Sequence, residues 1–121
     1  MGIHESGEMY LDTIYVLHNQ KGHVRSIDIS EYMRYSKPSV SRAMGLLKNA
    51  GYINMEKDGS NTLTDTGLSI AQKIFERHTI LTQLLVNLGV NPQVASEDAC
   101  KLEHAISDES FNAIKRFLSE K

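Results

Sequence analysis

The hydrophobic positions at the start of the chain recur at helical spacing. Tyr10, Ile14 and Leu17 fall at i, i+4 and i+7, and Leu11 and Tyr15 widen the same face, so residues 5–20 read as an amphipathic helix ended by Gly22. Ser26 is the expected N-cap of a short helix over 27–33, and Arg34 to Lys37 reads as a turn. Pro38 suits the first turn of a third helix, where its missing N–H costs nothing. Val40, Met44 and Leu47 repeat the i, i+4, i+7 pattern, and Gly51 supplies a left-handed exit. The pattern then shortens to two strands over 52–56 and 62–64. The turn Asp58-Gly59-Ser60-Asn61 joins them, and Asp58-Gly59 is a strong hairpin signal. Thr64 or Asp65 caps a long helix reaching about Leu88. Pro92 opens another that runs to about Ile106. Ser107 caps a last one with Phe111, Ile114, Phe117 and Leu118 on its apolar side.

Helix, short helix, turn, helix, hairpin is the order of a winged helix-turn-helix. The expected fold is therefore mostly α: a winged helix-turn-helix DNA-binding domain over 1–66, then an α-helical domain over 67–121. Charge supports this only by its distribution. The net charge is −2, but from Lys21 to Lys57 seven basic residues face three acidic ones, and after Glu97 the balance turns acidic. The third helix opens with Ser36, Lys37, Pro38, Ser39, Ser41 and Arg42. The start of such a recognition helix enters the major groove, hydroxyls and its N-terminus hold phosphate, and Arg42 is placed for a guanine edge. Arg25 and Lys48, with Lys57 and Asn61 in the wing, are the further expected DNA contacts. A merely solvated helix end remains the bland alternative for these residues.

The composition is that of an ordinary globular protein, 40% hydrophobic and 23% charged over 121 residues. No apolar run approaches the roughly 18 residues that span a bilayer, and Met1 to Gly7 lacks a signal-peptide h-region. A cytoplasmic location and no membrane partner are expected. The single cysteine, Cys100, excludes an intramolecular disulfide framework. Cys100, Glu103 and His104 lie at i, i+3 and i+4, one face of a helix, and bring together a thiolate, a carboxylate and an imidazole, which are transition-metal ligands. His78 lies on the preceding helix. Met9 and Asp12 share a face of the first helix and could meet the same point. Each has a plain alternative: a small buried Cys, a surface Glu-His pair, a core Met, a solvated His. His4, His18 and His23 show no partner spacing. An enzyme with Cys100 as nucleophile and His104 as base is not expected, because no oxyanion donor lies nearby. A winged-helix regulator with a non-metal effector remains an alternative.

These residues carry a resemblance. Glu8-Met9-Tyr10-Leu11-Asp12-Thr13-Ile14-Tyr15, Lys37-Pro38-Ser39-Val40-Ser41, Leu63-Thr64-Asp65-Thr66-Gly67, Arg77-His78 and the run from Glu97 to Ser107 together resemble the diphtheria toxin repressor and manganese transport regulator family. The resemblance covers nearly the whole chain. It implies a homodimeric repressor of metal-uptake genes that binds an operator in double-stranded DNA when metal is loaded, with the second domain serving dimerisation and metal binding. It also implies no organic substrate. Met9, Cys100, Glu103 and His104 match the metal site of the iron-responsive branch, His78 an ancillary-site histidine, and Asp12 a carboxylate of the manganese branch. Thr82 and Ser96 stand where the iron branch has a Glu and a second His. The chain ends at Lys121, so the resemblance implies the short form without an SH3-like domain. Thiolate and thioether are softer than the donors Mn(II) prefers, so Fe(II) is expected over Mn(II), with Zn(II), Co(II) or Ni(II) binding in vitro.

Overall fold

The computed structural model describes residues 5–120, and the chain divides into two compact units between Gln72 and Lys73. The expectation for His4 lies outside the described residues. The first unit holds α1 (Glu5–Lys21), α2 (Ser26–Met33), α3 (Lys37–Asn49), β1 (Ile53–Met55), β2 (Asn61–Leu63) and the opening turns of α4 (Asp65–Asn87). The second holds the rest of α4 with α5 (Pro92–Leu102) and α6 (Asp108–Ser119). Among the described residues, no helix is long and apolar enough to cross a membrane.

Side chains from the elements of the first unit meet in one core: Tyr10, Leu11, Ile14 and Leu17 of α1, Ile29 of α2, Val40, Met44 and Leu47 of α3, Ile53 of β1 and Ala71 of α4, with the partly buried Leu63 of β2 packed against them. The helical spacing of the apolar residues thus becomes a buried stripe. Ser36 caps α3, its Oγ accepting from Ser39 N at 3.3 Å, with Pro38 in the first turn. The turn before α3 passes through Arg34 in the left-handed region at φ 60°. It closes on buried Ser30, whose carbonyl accepts from Tyr35 N and whose hydroxyl donates to Tyr35 O at 2.6 Å. The wing pairs β1 and β2 antiparallel, Ile53 opposite Leu63 and Met55 opposite Asn61. In its turn, Asp58 Oδ1 accepts from the backbone and hydroxyl of Ser60, and Gly59 takes φ 88°.

Three local expectations are corrected. The N-cap of α2 is Arg25, not Ser26: the backbone N–H of Arg25 donates to Asp28 Oδ2 at 2.9 Å, so the acid three residues on supplies the return bond of a capping box. Asn61 is not in the wing turn. It begins β2 and is 1% exposed, with its backbone N–H donating to Val24 O at 2.7 Å and its side-chain amide reaching the same carbonyl. Finally, α5 stops at Leu102 rather than near Ile106. Glu103 is its C-cap, and His104 lies in the turn beyond.

In the second unit the core is smaller: Ile74 and Leu81 of α4, Ala95 and Ala99 of α5, and Phe111 of α6. Asn91 caps α5 and Ser107 caps α6. Phe75, Val86, Leu88, Val94, Leu102 and Phe117 remain exposed on this unit.

Candidate metal centre and DNA-reading face

Helix α3 points its polar side outward. Lys37, Pro38, Ser41, Arg42 and Lys48 are exposed, as is Ser36 at the cap, while Ser39 is half-buried and receives a hydrogen bond from Ser36 Oγ at 2.8 Å. Arg25 and Lys57 are exposed too. Asn61 drops out of this face, because a side chain buried against Val24 cannot reach a phosphate. Its polarity made it look like a turn residue, and only the pairing of the segment around Val24 with the wing, marked by the Arg25–Ser60 bridge, explains its burial.

The second unit brings three predicted ligands together. His78 stands on α4, 25 residues before Glu103, and its Nδ1 lies 3.0 Å from Glu103 Oε2 and 3.7 Å from Cys100 Sγ. One ligand atom each from His78, Cys100 and Glu103 fall within 4.8 Å of one another. First-row divalent ions bind nitrogen, oxygen and sulfur at about 2.0–2.3 Å, so donors grouped this closely fit one ion with small adjustments. Glu103 Oε1, the other oxygen of that carboxylate, lies 3.4 Å from His104 Nε2. The Glu103 and His104 side chains are 4% and 3% exposed, whereas Cys100 is open to solvent. The Glu103 carboxylate thus lies between two imidazoles, with each oxygen facing one ring nitrogen. On the far side of His78, Nε2 meets Ser96 Oγ at 3.3 Å, so a hydroxyl stands at the position where the resemblance has a second histidine.

Met9 and Asp12 belong to the first unit. They lie one turn apart on α1, each partly buried. His18 and His23 are exposed; His23 Nδ1 lies 3.8 Å from Asp58 Oδ2 at the wing.

Sequence reasoning assigned no part to Arg77. Its side chain is 8% exposed. Nη1 donates to the carbonyls of Glu103 at 3.0 Å and Ile106 at 2.8 Å, Nη2 donates to Asp108 Oδ1, and the guanidinium lies 5.5 Å from the centre of the Phe111 ring. Lys73 and Arg77 together hold the Asp108 carboxyl below its usual range, Lys73 contributing most. The available signal was an arginine one residue before a candidate histidine ligand, which by itself does not tell a solvated cation from a buried clamp.

Comparison with known proteins matches both units. The family model described as the iron dependent repressor N-terminal DNA binding domain covers residues 3–60, and the one described as its metal binding and dimerisation domain covers 64–120. An uncharacterised HTH-type transcriptional regulator of Methanocaldococcus jannaschii is 33% identical over 118 residues, 96% of this chain and 94% of that protein. The chain belongs to the iron-dependent repressor family. Members of this family are metal-dependent DNA-binding transcriptional regulators, not enzymes. The transcriptional regulator MntR of Escherichia coli O157:H7 is 33% identical over 89% of this chain and 70% of its own length. The diphtheria toxin repressor of Corynebacterium diphtheriae is 28% identical over 96% of this chain and 52% of its own. Among solved structures, the manganese regulator SloR superposes with a TM-score of 0.83 at 28% identity, over 95% of this chain and 54% of that one. A manganese-dependent transcriptional repressor in complex with manganese gives 0.84 at 29% identity, over 93% and 52%. This chain thus spans about half the length of those solved proteins.

Proposed function

We propose that this protein represses metal-uptake genes as a homodimer, binding double-stranded operator DNA when Fe(II), in preference to Mn(II), is loaded. The observation that carries the reading is the meeting of His78 Nδ1, Cys100 Sγ and the Glu103 carboxylate in the second unit. A thiolate in the donor set favours iron over manganese, which prefers oxygen and imidazole; Zn(II), Co(II) and Ni(II) bind more tightly still in vitro. His104 completes the proposed set from the turn, and the resemblance supplies Met9 and Asp12 from α1 as further donors. A bound divalent ion supplies positive charge to a carboxylate that has His78 and His104 beside it.

The chain's own residues do the rest. Ser36, Lys37, Pro38, Ser39, Ser41 and Arg42 present α3 to the major groove, with Arg25, Lys48 and Lys57 at the phosphates. The exposed apolar residues of the second unit supply the dimer contact. The metal favours the DNA-competent state only as far as it binds that state better, with a coupling of about 1–3 kcal/mol typical of such switches.

The test is anaerobic capture of sheared genomic DNA by the purified protein with Fe(II), with Mn(II) and with chelator. Discrete fragments enriched with metal and lost with chelator are expected, with Fe(II) effective at the lower concentration. Equal enrichment in chelator sinks the metal switch, and greater sensitivity to Mn(II) reverses the choice of metal.

A further inference from the structure

We infer that Arg77 is a positioning residue for the metal centre: it holds the turn carrying Glu103 and His104 in register with His78 and so sets metal affinity without touching the metal. The inference rests on the metal-binding reading above. It starts from where α5 ends. The last regular hydrogen bonds there are Glu103 N to Ala99 O, and Ala105 N and Ile106 N to Leu102 O. The carbonyls that follow have no helical donor, as at any helix C-terminus. Two of the proposed ligands, Glu103 and His104, therefore sit on a last turn that is bonded back through Ala99 and Leu102 but whose own carbonyls the helix leaves open.

Arg77 supplies what is missing. One Nη1 donates to the carbonyls at both ends of this stretch, Glu103 and Ile106, and Nη2 ties the start of α6 through Asp108. A cation at a helix C-terminus is favoured by the helix dipole as well. Because Arg77 and His78 are consecutive on α4, the residue that fixes the Glu103 backbone and the residue that meets the Glu103 carboxylate move together. A guanidinium is a poor choice for stability alone. Its Nε is buried with no hydrogen-bond partner among the described residues, and well-packed apolar side chains often match or exceed a buried charge in stability. What an apolar side chain cannot do is hold two carbonyls at a fixed distance.

The experiment compares the full chain with Arg77→Met, Arg77→Lys and Phe111→Leu. The last disturbs the packing under the guanidinium and leaves its donors. In the metal-free proteins, amide hydrogen exchange is read over residues 103–107; with Co(II), the Kd and the visible spectrum are measured. Arg77→Met is expected to speed exchange over 103–107 and weaken Co(II) binding by about 10–100-fold, the usual effect of losing an outer support of a metal ligand. Arg77→Lys should recover part of both. Phe111→Leu should lower Tm and leave the Kd and the spectrum unchanged. Unchanged affinity in Arg77→Met, or equal weakening by Phe111→Leu, overturns the inference. If Arg77→Met does not fold, Asp108→Asn takes its place: faster exchange and weaker binding support the positioning role, and parental values for both overturn it. A parent that binds no metal sinks the proposed function instead, while the exchange measurement still reads the action of Arg77 on the turn.

Discussion

Two glycines in helices of the first unit should respond to the same substitution with opposite signs. A Cβ at Gly67, in the first turn of α4, would lie 2.0 Å from Tyr52 O and 3.0 Å from its carbonyl carbon. That is well over 1 Å inside ordinary contact, and the obstacle is backbone. Tyr52 cannot easily yield, since its N–H donates to Leu47 O and its carbonyl accepts from Thr64 N at 3.1 Å. Thr64 in turn caps α4, its Oγ accepting from Gly67 N at 3.1 Å and donating to Gly51 O at 2.8 Å. Relieving the clash therefore disturbs a hydrogen bond worth about 1 kcal/mol and a cap worth about 1 kcal/mol, beyond overpacking of roughly 1–3 kcal/mol. The gain in helix propensity from Gly to Ala, about 1 kcal/mol, offsets only part of this. Gly67→Ala should thus destabilise by about 2–4 kcal/mol. Gly45, inside α3, would meet nothing within 4 Å, so Gly45→Ala should stabilise by about 0.5–1 kcal/mol. The assay is urea unfolding followed by tyrosine emission. All five tyrosines (10, 15, 32, 35 and 52) lie in the first unit and there is no tryptophan, so the signal reports that unit. A Gly67→Ala midpoint at or above the parent's would refute the packing drawn here, and a lowered midpoint for Gly45→Ala would show that the open space at α3 is not real.

Cys100→Asp replaces a soft ligand with a hard one, so the ratio of Mn(II) to Co(II) affinity should rise, as read by competition with a metal indicator; an unchanged ratio removes Cys100 from the ligand set. Arg42→Ala should relax preference at one operator base pair by about 1–3 kcal/mol, and Lys57→Ala should weaken all sequences alike and lower the salt slope by about 1; identical binding of all operator variants by parent and Arg42→Ala ends the base-reading role. Asp108 has a lowered folded pKa through Lys73 first and Arg77 second, so its contribution is present above the unfolded value of 3.8 and is lost as pH falls below it. Asp108→Asn should therefore make acid unfolding, followed by circular dichroism, begin from a less stable state at neutral pH and show a shallower acid limb. A parental acid profile would mean that the ion pairs at the start of α6 contribute nothing.

What could be read along the chain was whatever short-range physics decides. The spacing of Tyr10, Ile14 and Leu17 and of Val40, Met44 and Leu47 marked two helices and the faces they bury. Pro38 marked the start of α3, and Gly22 and Gly51, both at positive φ, marked two ends. The ligand residues Cys100, Glu103 and His104 were legible as a cluster because they are neighbours in sequence. Tertiary structure alone decided the rest, because the deciding partners lie far away in the chain. Asn61 is a core residue because Val24, 37 positions earlier, takes its hydrogen bonds. His78 joins Glu103 across 25 positions, and Arg77 reaches 26 and 29 positions to the carbonyls of Glu103 and Ile106. The helix that periodicity carried on to Ile106 stops at Leu102, where a buried guanidinium offers the next carbonyls a partner that local propensity cannot anticipate.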